Sequence, residues 1–424
     1  MSTASDNTAP NLELADVIDK AENHYGEEIA MAIKAGLSVV GTHSLAQREH
    51  CLCLVIVGAS GKGKSVSVNV LMPDRESTKG YLHRCDDFTP ASFVSHAANK
   101  NKKQLNSIDL LPKIKDKTLL TKELSPLFRG DSKDMQKNFA VLTAVLDGKG
   151  YVRQSGAQGE RGYTDEYLFN WIGATTPFPD HVYKMMAQLG NRIYFYEIIS
   201  VDLKEDDLVA FAKQNDGDDH LKECQKLVND FIENHFQHYP LKSVDPSSID
   251  IPDDVIVELV RYAQFIAVGR VEVTSDESAG LRVGEPEGPH RIILSLKMLA
   301  MGSAIADQRT AVSAEHDLPM IRHIAFSTIP ENRRKLIRAL LLNGGAITST
   351  DAETVLKISR PTAIAWLKEL GATGIVEFHA GDSNTSTPAS TTLTTDWQWL
   401  LDGQVPEIAH KPTGTDPPLN HLGV

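Results

Sequence analysis

The 424-residue chain has few cysteines, few aromatic residues and no excess of positive charge. Its cysteines are irregularly spaced, so neither a disulfide framework nor a cysteine zinc site is indicated. No apolar run approaches the roughly 18 residues of a transmembrane helix. The polar, acidic amino terminus also lacks the pattern of a secretion signal. We therefore expect a soluble, cytoplasmic protein with no membrane partner.

Acidic residues outnumber basic ones, 56 to 43, for a net charge of −13. This balance argues against a surface that binds nucleic acid all over, but it is compatible with a local basic face. The length fits two or three domains.

A continuous apolar run, Leu52 to Val57, ends at a glycine-rich segment. Such a run is typical of a central parallel strand, and a helix should begin after Ser65. The spacing G-x-x-x-x-G-K-S is met in full by Gly58, Ala59, Ser60, Gly61, Lys62, Gly63, Lys64 and Ser65, and Val66 follows.

The glycines of this spacing let successive backbone N–H groups turn inward around an anion at a helix N-terminus. Lys64 is expected to reach the β- and γ-phosphates of ATP, and the Ser65 hydroxyl to ligate Mg²⁺. Lys62 lies outside the motif and is expected to be a solvated cation. The segment predicts a P-loop that binds ATP and Mg²⁺.

Further strands are predicted at 117–121, 168–174 and 192–198, with a helix at 134–146 and a β-hairpin at about 150–162. Alternation of strands with helices predicts an α/β protein with a parallel sheet. The predicted divisions are an N-terminal helical segment (1–46), an ATPase core (47–200), a helical lid with insertions (201–327), a C-terminal domain (328–403) and a flexible tail (404–424).

The segment after the second predicted strand supplies a candidate general base, Glu123. The usual form of this motif ends in Asp-Glu, and Lys122 stands where the aspartate would hold magnesium. Magnesium is then held by Ser65 and waters, or Asp109 or Asp116 serves instead. Glu123 has an alternative role, in which it only begins a helix and supports its dipole.

In motif order, residues 50–325 resemble an AAA+ ATPase. The resemblance implies that Thr176, at the end of the next strand, is sensor 1 and orients the attacking water; a simple turn before Pro177 is the alternative. It also implies that Arg192 is an arginine finger acting on a neighbouring subunit's ATP, which requires a ring. A surface ion pair is the alternative for Arg192.

The helical segment around Pro289–Ala300, with Asp317 and Leu318 beyond it, is similar to the lid of minichromosome-maintenance (MCM) helicases. The resemblance makes Arg291 sensor 2 and implies a homo-oligomeric, hexameric ring. The hairpin occupies the place of a DNA-tracking hairpin in that family, so Arg153 and Arg161, with Gln154 and Gln158, are expected to contact single-stranded DNA in a pore. A solvent-facing loop is the alternative. The large N-terminal DNA-binding domain of MCM proteins is absent.

The C-terminal region has the element order of a winged helix-turn-helix, which MCM proteins also carry at this end. A helix over 331–343 ends at Gly344, Ser349 or Thr350 caps a second, and Ser359 caps a third. Arg360 and Thr362, with Lys368, would then face duplex DNA. A possible backbone-contacting face comprises Arg333, Arg334 and Arg338. Protein contacts are the alternative use of such a domain.

Two functions follow. The first is an oligomeric DNA-dependent ATPase or helicase-like motor, of the kind found in phage, plasmid or integrated-element replication. The alternative is an ATP-dependent oligomerising switch, a regulatory or defence ATPase without translocation. The hairpin, sensors and winged helix favour the motor, whereas Lys122 and the modest basic charge favour the switch.

Overall fold

A computed structural model describes residues 12–95, 102–128, 131–155, 159–178, 182–183, 192–199, 217–276, 280–382 and 384–403. The chain divides into two compact units. The first comprises Met1–Pro177, Leu203–Pro252 and Lys297–Ser313, and the second Phe178–Asp202, Asp253–Leu296 and Ala314–Val424. Two predicted features lie outside the described residues. They are the flexible tail over 404–424 and the part of the hairpin that contains Gln158.

The structure contains the strands β1 (Leu52–Val57), β2 (Leu82–Arg84), β3 (Thr118–Thr121), β4 (Tyr151–Ser155), β5 (Gly159–Tyr163), β6 (Asn170–Thr175), β7 (Ile193–Glu197), β8 (Val273–Asp276), β9 (Gly280–Val283), β10 (Ala346–Thr348), β11 (Val376–His379) and β12 (Ser390–Leu393). Its described α-helices are α1 (Leu14–Tyr25), α2 (Glu27–Gly41), α3 (Lys64–Asn69), α4 (Lys102–Ile108), α5 (Leu110–Ile114), α6 (Ser132–Leu146), α7 (Gly217–His238), α8 (Asp253–Gly269), α9 (His290–Ala306), α10 (Leu318–Ser327), α11 (Glu331–Leu342), α12 (Ser349–Leu356) and α13 (Arg360–Ala372).

The main sheet has five parallel strands in the order β2-β3-β6-β1-β7. The predicted α/β class is confirmed. All six residues of β1 are buried, as its apolar run predicts, and β1 pairs with β6 from Leu52 opposite Asn170 to Val57 opposite Thr175. Because the strands are parallel, their carboxyl ends meet at one edge of the sheet.

The N-terminal segment forms two helices, α1 and α2, separated by Gly26 at φ +84°. Helix α2 approaches α9 so closely that a Cβ on Gly302 would lie 2.3 Å from the Ser38 carbonyl oxygen. Glycine is required at this crossing because any side chain would collide with backbone. The packing therefore fixes α2 within the first unit.

Within residues 217–327, the described part of the predicted helical segment 201–327 contains the helices α7, α8, α9 and α10 and an antiparallel hairpin, β8 and β9, that was not predicted. None of the helices that the structure describes is long and apolar enough to cross a membrane.

The C-terminal part of the second unit runs α11, β10, α12, α13, β11, β12, and its three strands form an antiparallel sheet in the order β10-β12-β11. Ser359 caps α13 by accepting from the Thr362 amide, as predicted. The predicted cap of α12 is wrong: Thr348 accepts from the Asp351 amide instead. The helix therefore begins at Ser349, one or two residues earlier than expected, and the Ser349 amide donates to the Ala389 carbonyl at 2.7 Å.

Candidate nucleotide-binding site

The loop from Gly58 to Ser65, here called the phosphate loop, begins where β1 and β6 end. The Gly58 amide donates to the Thr175 carbonyl at 3.2 Å. Gly61 and Gly63 adopt φ values of +81° and +82°, which L side chains rarely adopt. A Cβ on Gly63 would also lie 2.6 Å from Cδ1 of Ile29 in α2. Of the glycines that the motif spacing fixes, Gly63 turns in the left-handed region, and Gly61, at a position that the spacing leaves open, does so too.

Helix α3 begins at Lys64, two residues earlier than the predicted start after Ser65. The Val66 amide donates to the Gly63 carbonyl at 2.9 Å, which joins the loop to the first helical turn. The Lys64 side chain is 9% exposed, whereas Ser65 is exposed. The loop therefore offers a largely buried cation and an accessible hydroxyl side by side.

Glu123 follows the carboxyl end of β3, and its Oε2 lies 3.7 Å from Nζ of Lys64. The Leu124 amide donates to the Ala174 carbonyl at 2.8 Å and so continues the pairing with β6 beyond the strand. This pairing holds the carboxylate at the same edge of the sheet as the phosphate loop.

Ser125 is a polar contact of Glu123 that sequence reasoning missed. Its amide donates to Oε1 of Glu123 at 3.0 Å, and its hydroxyl donates to the same oxygen in a very short contact. Its Oγ also lies 3.4 Å from the hydroxyl oxygens of Thr175 and Thr176. The available signal was a hydroxyl residue two positions after the candidate base.

Glu123 thus uses its two oxygens differently. Oε1 accepts the amide that begins the short helical turn Ser125–Phe128, which is the structural role left open as an alternative. Oε2 faces Lys64. The capping role and the proposed catalytic role are therefore compatible.

The carboxyl ends of β1, β3 and β6 bring together a buried cation, a carboxylate and a hydroxyl, from Lys64, Glu123 and Thr176. A largely buried cation suits a phosphate, and a nearby carboxylate suits proton transfer from water. These three residues were selected from different segments of the sequence, and the fold places them in one network.

Neither alternative magnesium ligand is in a suitable position. Asp116 precedes β3, at the opposite end of the strands, and pairs with Lys242 at 2.8 Å and Arg48 at 3.7 Å. Asp109 is buried and accepts from the Ser95 amide and the Tyr163 hydroxyl, both at 2.9 Å. Both carboxylates are used in structural contacts, so the proposal that either replaces the missing aspartate is wrong.

The predicted hairpin is present as β4 and β5, and its register places Arg153 opposite Arg161 on one face. Arg153 donates to the Val94 carbonyl at 2.9 Å. Together with the contact from Tyr163 to Asp109, this bond fixes the base of the hairpin to the first unit. DNA contact by the two arginines stays a prediction.

Arg192 and Arg291 lie in the second unit, before β7 and in the first turn of α9. Both are partly buried. Burial raises the pKa of Tyr194 in β7. The positive charge of nearby arginines, Arg291 among them, opposes this shift. The finger and sensor roles of the two arginines stay predictions.

The three arginines of α11 are buried, and their expected contact with a DNA backbone is wrong. Arg333 donates to Glu369 of α13, and Arg334 and Arg338 both donate to Glu197 of β7. On α13, by contrast, Arg360 is exposed and Thr362 is partly exposed. DNA contact by Arg360 and Thr362 stays a prediction.

Compared with protein-family models and with curated proteins, the chain gives no match. The resemblance to AAA+ and MCM-like ATPases therefore rests on the residues of this chain alone.

Proposed function

We propose that this protein binds ATP on the phosphate loop and hydrolyses it. The observation that carries the proposal is the convergence of Lys64, Glu123 and Thr176 at the carboxyl ends of three adjacent parallel strands. In this proposal Lys64 binds the β- and γ-phosphates, Glu123 accepts a proton from the attacking water, and Thr176 orients that water.

Magnesium fits the loop through the Ser65 hydroxyl, which is exposed beside Lys64. Within the described residues, no group of three or more His, Cys, Asp or Glu side chains could hold a metal. Ser65, the phosphates and waters are then the ligands, as is usual for Mg²⁺ bound with a nucleotide. When bound, the ion neutralises charge that develops on the phosphate oxygens.

The protein is further proposed to be a cytoplasmic, oligomeric DNA-dependent ATPase of AAA+, MCM-like type, with Arg192 and Arg291 acting in a hexameric ring. The element order α11-β10-α12-α13-β11-β12 and its antiparallel sheet support a winged helix at residues 331–393. Arg360 and Thr362 at the start of α13 would contact duplex DNA, and the hairpin arginines would contact a single strand.

The alternative is an ATP-dependent switch that assembles without translocating. Lys122 favours it, because this lysine replaces the aspartate that would strengthen magnesium binding. The burial of the three α11 arginines also favours it, because it removes part of the cationic surface expected for DNA.

The test is ATP hydrolysis by the full chain with and without single-stranded DNA, with particle size measured in nucleotide. Strong stimulation by DNA together with a ring-sized species supports the motor. Slow turnover that DNA does not change supports the switch. Lys137→Ala is a matched control, because Lys137 is exposed and its ion pair with Asp134 is exposed to solvent as well.

The Lys64→Ala variant decides the ATPase proposal itself. It should abolish hydrolysis, while Lys137→Ala should retain it. Equal activity of both variants and the unaltered protein would overturn the assignment of the phosphate loop.

A further inference from the structure

We infer that Ser125 is a positioning residue that holds Glu123 and couples it to Thr176. This inference rests on the proposed ATPase function and assigns a role to a side chain that the P-loop pattern does not include. Ser125 contacts Glu123 through two donors and lies within 3.4 Å of both threonine hydroxyls at the end of β6.

The number of hydroxyl protons determines which groups donate and which accept in these contacts. A hydroxyl has one proton to donate. Ser125 gives its proton to Glu123, and Thr175 gives its own to the Thr176 carbonyl at 3.0 Å. The proton available for the bond between Ser125 and Thr176 is therefore that of Thr176.

The result is a directed chain in which Thr176 donates to Ser125 and Ser125 donates to Glu123. With its proton used in this way, the Thr176 hydroxyl presents lone pairs to its surroundings and can only accept. A water between Thr176 and Oε2 of Glu123 would then donate one hydrogen bond to each. As its lone pair forms a bond to the γ-phosphorus, the bond from that phosphorus to ADP breaks and the proton directed at Oε2 passes to Glu123.

Ser125 also separates the two oxygens of Glu123 by role. It occupies Oε1 with its amide and hydroxyl, so Oε2 remains the oxygen that faces Lys64 at 3.7 Å. A carboxylate held through one oxygen has fewer orientations available, and such alignment lowers the barrier to a proton transfer. Loss of the Ser125 hydroxyl should therefore slow turnover without weakening nucleotide binding.

The experiment compares Ser125→Ala, Ser125→Thr and Lys64→Ala with the unaltered protein in steady-state ATP hydrolysis. Ser125→Ala should lower kcat by about 10- to 100-fold, within the range by which a positioned proton acceptor acts, with KM changed less than about threefold. Ser125→Thr retains a hydroxyl and should restore most of the rate. A fluorescent ATP analogue should bind Ser125→Ala with unchanged Kd, while Lys64→Ala loses binding.

A double-variant cycle separates positioning from a merely structural role. In a Glu123→Gln background the base is already lost, so adding Ser125→Ala should change kcat less than twofold. A structural role would instead give the same loss in both backgrounds, and that outcome overturns the inference. Circular dichroism of every variant checks that the fold is retained.

Failure of the proposed ATPase function and failure of the inference on Ser125 give different results. If the unaltered protein and Lys64→Ala hydrolyse ATP equally, the proposed function falls and the role of Ser125 falls with it. If the unaltered protein is active, Lys64→Ala is inactive and Ser125→Ala retains full kcat, the proposed function stands and the inference on Ser125 is wrong.

Discussion

The phosphate loop and helix α11 both carry buried cations, and they differ in how those cations are paired. Nζ of Lys64 lies 3.7 Å from its carboxylate partner. Arg334, with a side chain only 2% exposed, donates to Glu197 and to the carbonyls of Ser327 and Ile329 at 3.2 and 3.1 Å.

The pairing at α11 extends to its other arginines. Arg333 donates to both the Glu369 carboxylate and the carbonyls of Gly269 and Val271, the latter at 2.6 Å. Burial disfavours the charge on Glu197, but Arg334 and Arg338 outweigh it and hold the pKa of Glu197 below its usual range. Arg333 and Arg334 each donate to a carboxylate and to two backbone carbonyls, which indicates a structural role, whereas the ion pair of Lys64 is longer and its partner is partly exposed.

The largest expected effect is on the loop. Lys64→Ala should reduce ATP hydrolysis by at least about 100-fold, because a charge that stabilises the transition state is lost. It should change the free energy of unfolding by less than about 1 kcal/mol, because the pair with Glu123 is long and Glu123 is 41% exposed. Hydrolysis assays and urea unfolding measure the two effects. A large loss of stability would show that Lys64 resembles the α11 arginines.

On α11, by contrast, a substitution is expected to cause a large loss of stability. Arg334→Ala should destabilise the protein by about 3–5 kcal/mol, because it leaves Glu197 with a buried charge less fully paired. Urea unfolding measures this loss, and Lys335→Ala on the exposed face of the same helix is the control, with an expected change below about 0.5 kcal/mol. Equal effects of the two variants would contradict the structural role.

Acid should weaken the neighbourhood of α11 through His323, whose ring donates to the Glu197 carbonyl at 2.7 Å. Burial, aided by Arg338, lowers the pKa of His323 from 6.5 to about 4. The unfolded chain takes up this proton below pH 6.5 and the folded chain does not, so stability falls as the pH drops from about 6.5 to 4. At pH 5 the loss from this group is about 2 kcal/mol.

Unfolding by urea at pH 7 and pH 5 checks this dependence. His323→Gln retains a donor but does not titrate, so its stability should fall by about 2 kcal/mol less over the same interval. His235, whose pKa burial lowers to about 4, and His43, whose pKa burial lowers well below 6.5, are present in both proteins and contribute to the pH dependence that remains. An identical pH dependence in the variant would contradict the assignment.

The smallest expected effect concerns α13. Ser359→Ala removes the side chain that accepts from the Thr362 amide and should cost about 1 kcal/mol of stability. If Arg360 contacts duplex DNA, the same change should also weaken DNA binding slightly, because it loosens the first turn that carries Arg360. Thermal unfolding measures the first effect, and DNA titration at fixed salt concentration the second.

The sequence was most informative where local pattern determines structure. The bounds of β1 follow from its apolar run, and the left-handed Gly63 is a glycine of the P-loop spacing. Edge strand β2 has three residues, Leu82–Arg84, which is too short to show a periodicity. The strand order was likewise not predictable from local pattern, because it depends on pairings between distant segments.

The incorrect predictions likewise depend on contacts between segments that are distant in the chain. The exposed role expected for the α11 arginines failed because their partners lie far away in the chain: Glu197 lies 137 residues before Arg334, and Glu369 lies 36 residues after Arg333. The cap of α12 was misplaced because Thr348, Ser349 and Thr350 are all hydroxyl residues, and pairing with the segment at Ala389 selects among them. Ser125 was missed because its importance appears only when β3 and β6 lie side by side.

Helix α2 limits where the chain can be shortened from its amino terminus. Near its beginning Ile29 packs against Gly63 of the phosphate loop, and at its other end the Val39 carbonyl accepts from the Asn170 side chain at 2.8 Å. The helix thus runs from the phosphate loop to the beginning of β6 and packs against the loop. A shortened chain that begins at residue 47 would retain every residue of the P-loop motif and yet lose the surface that shapes it.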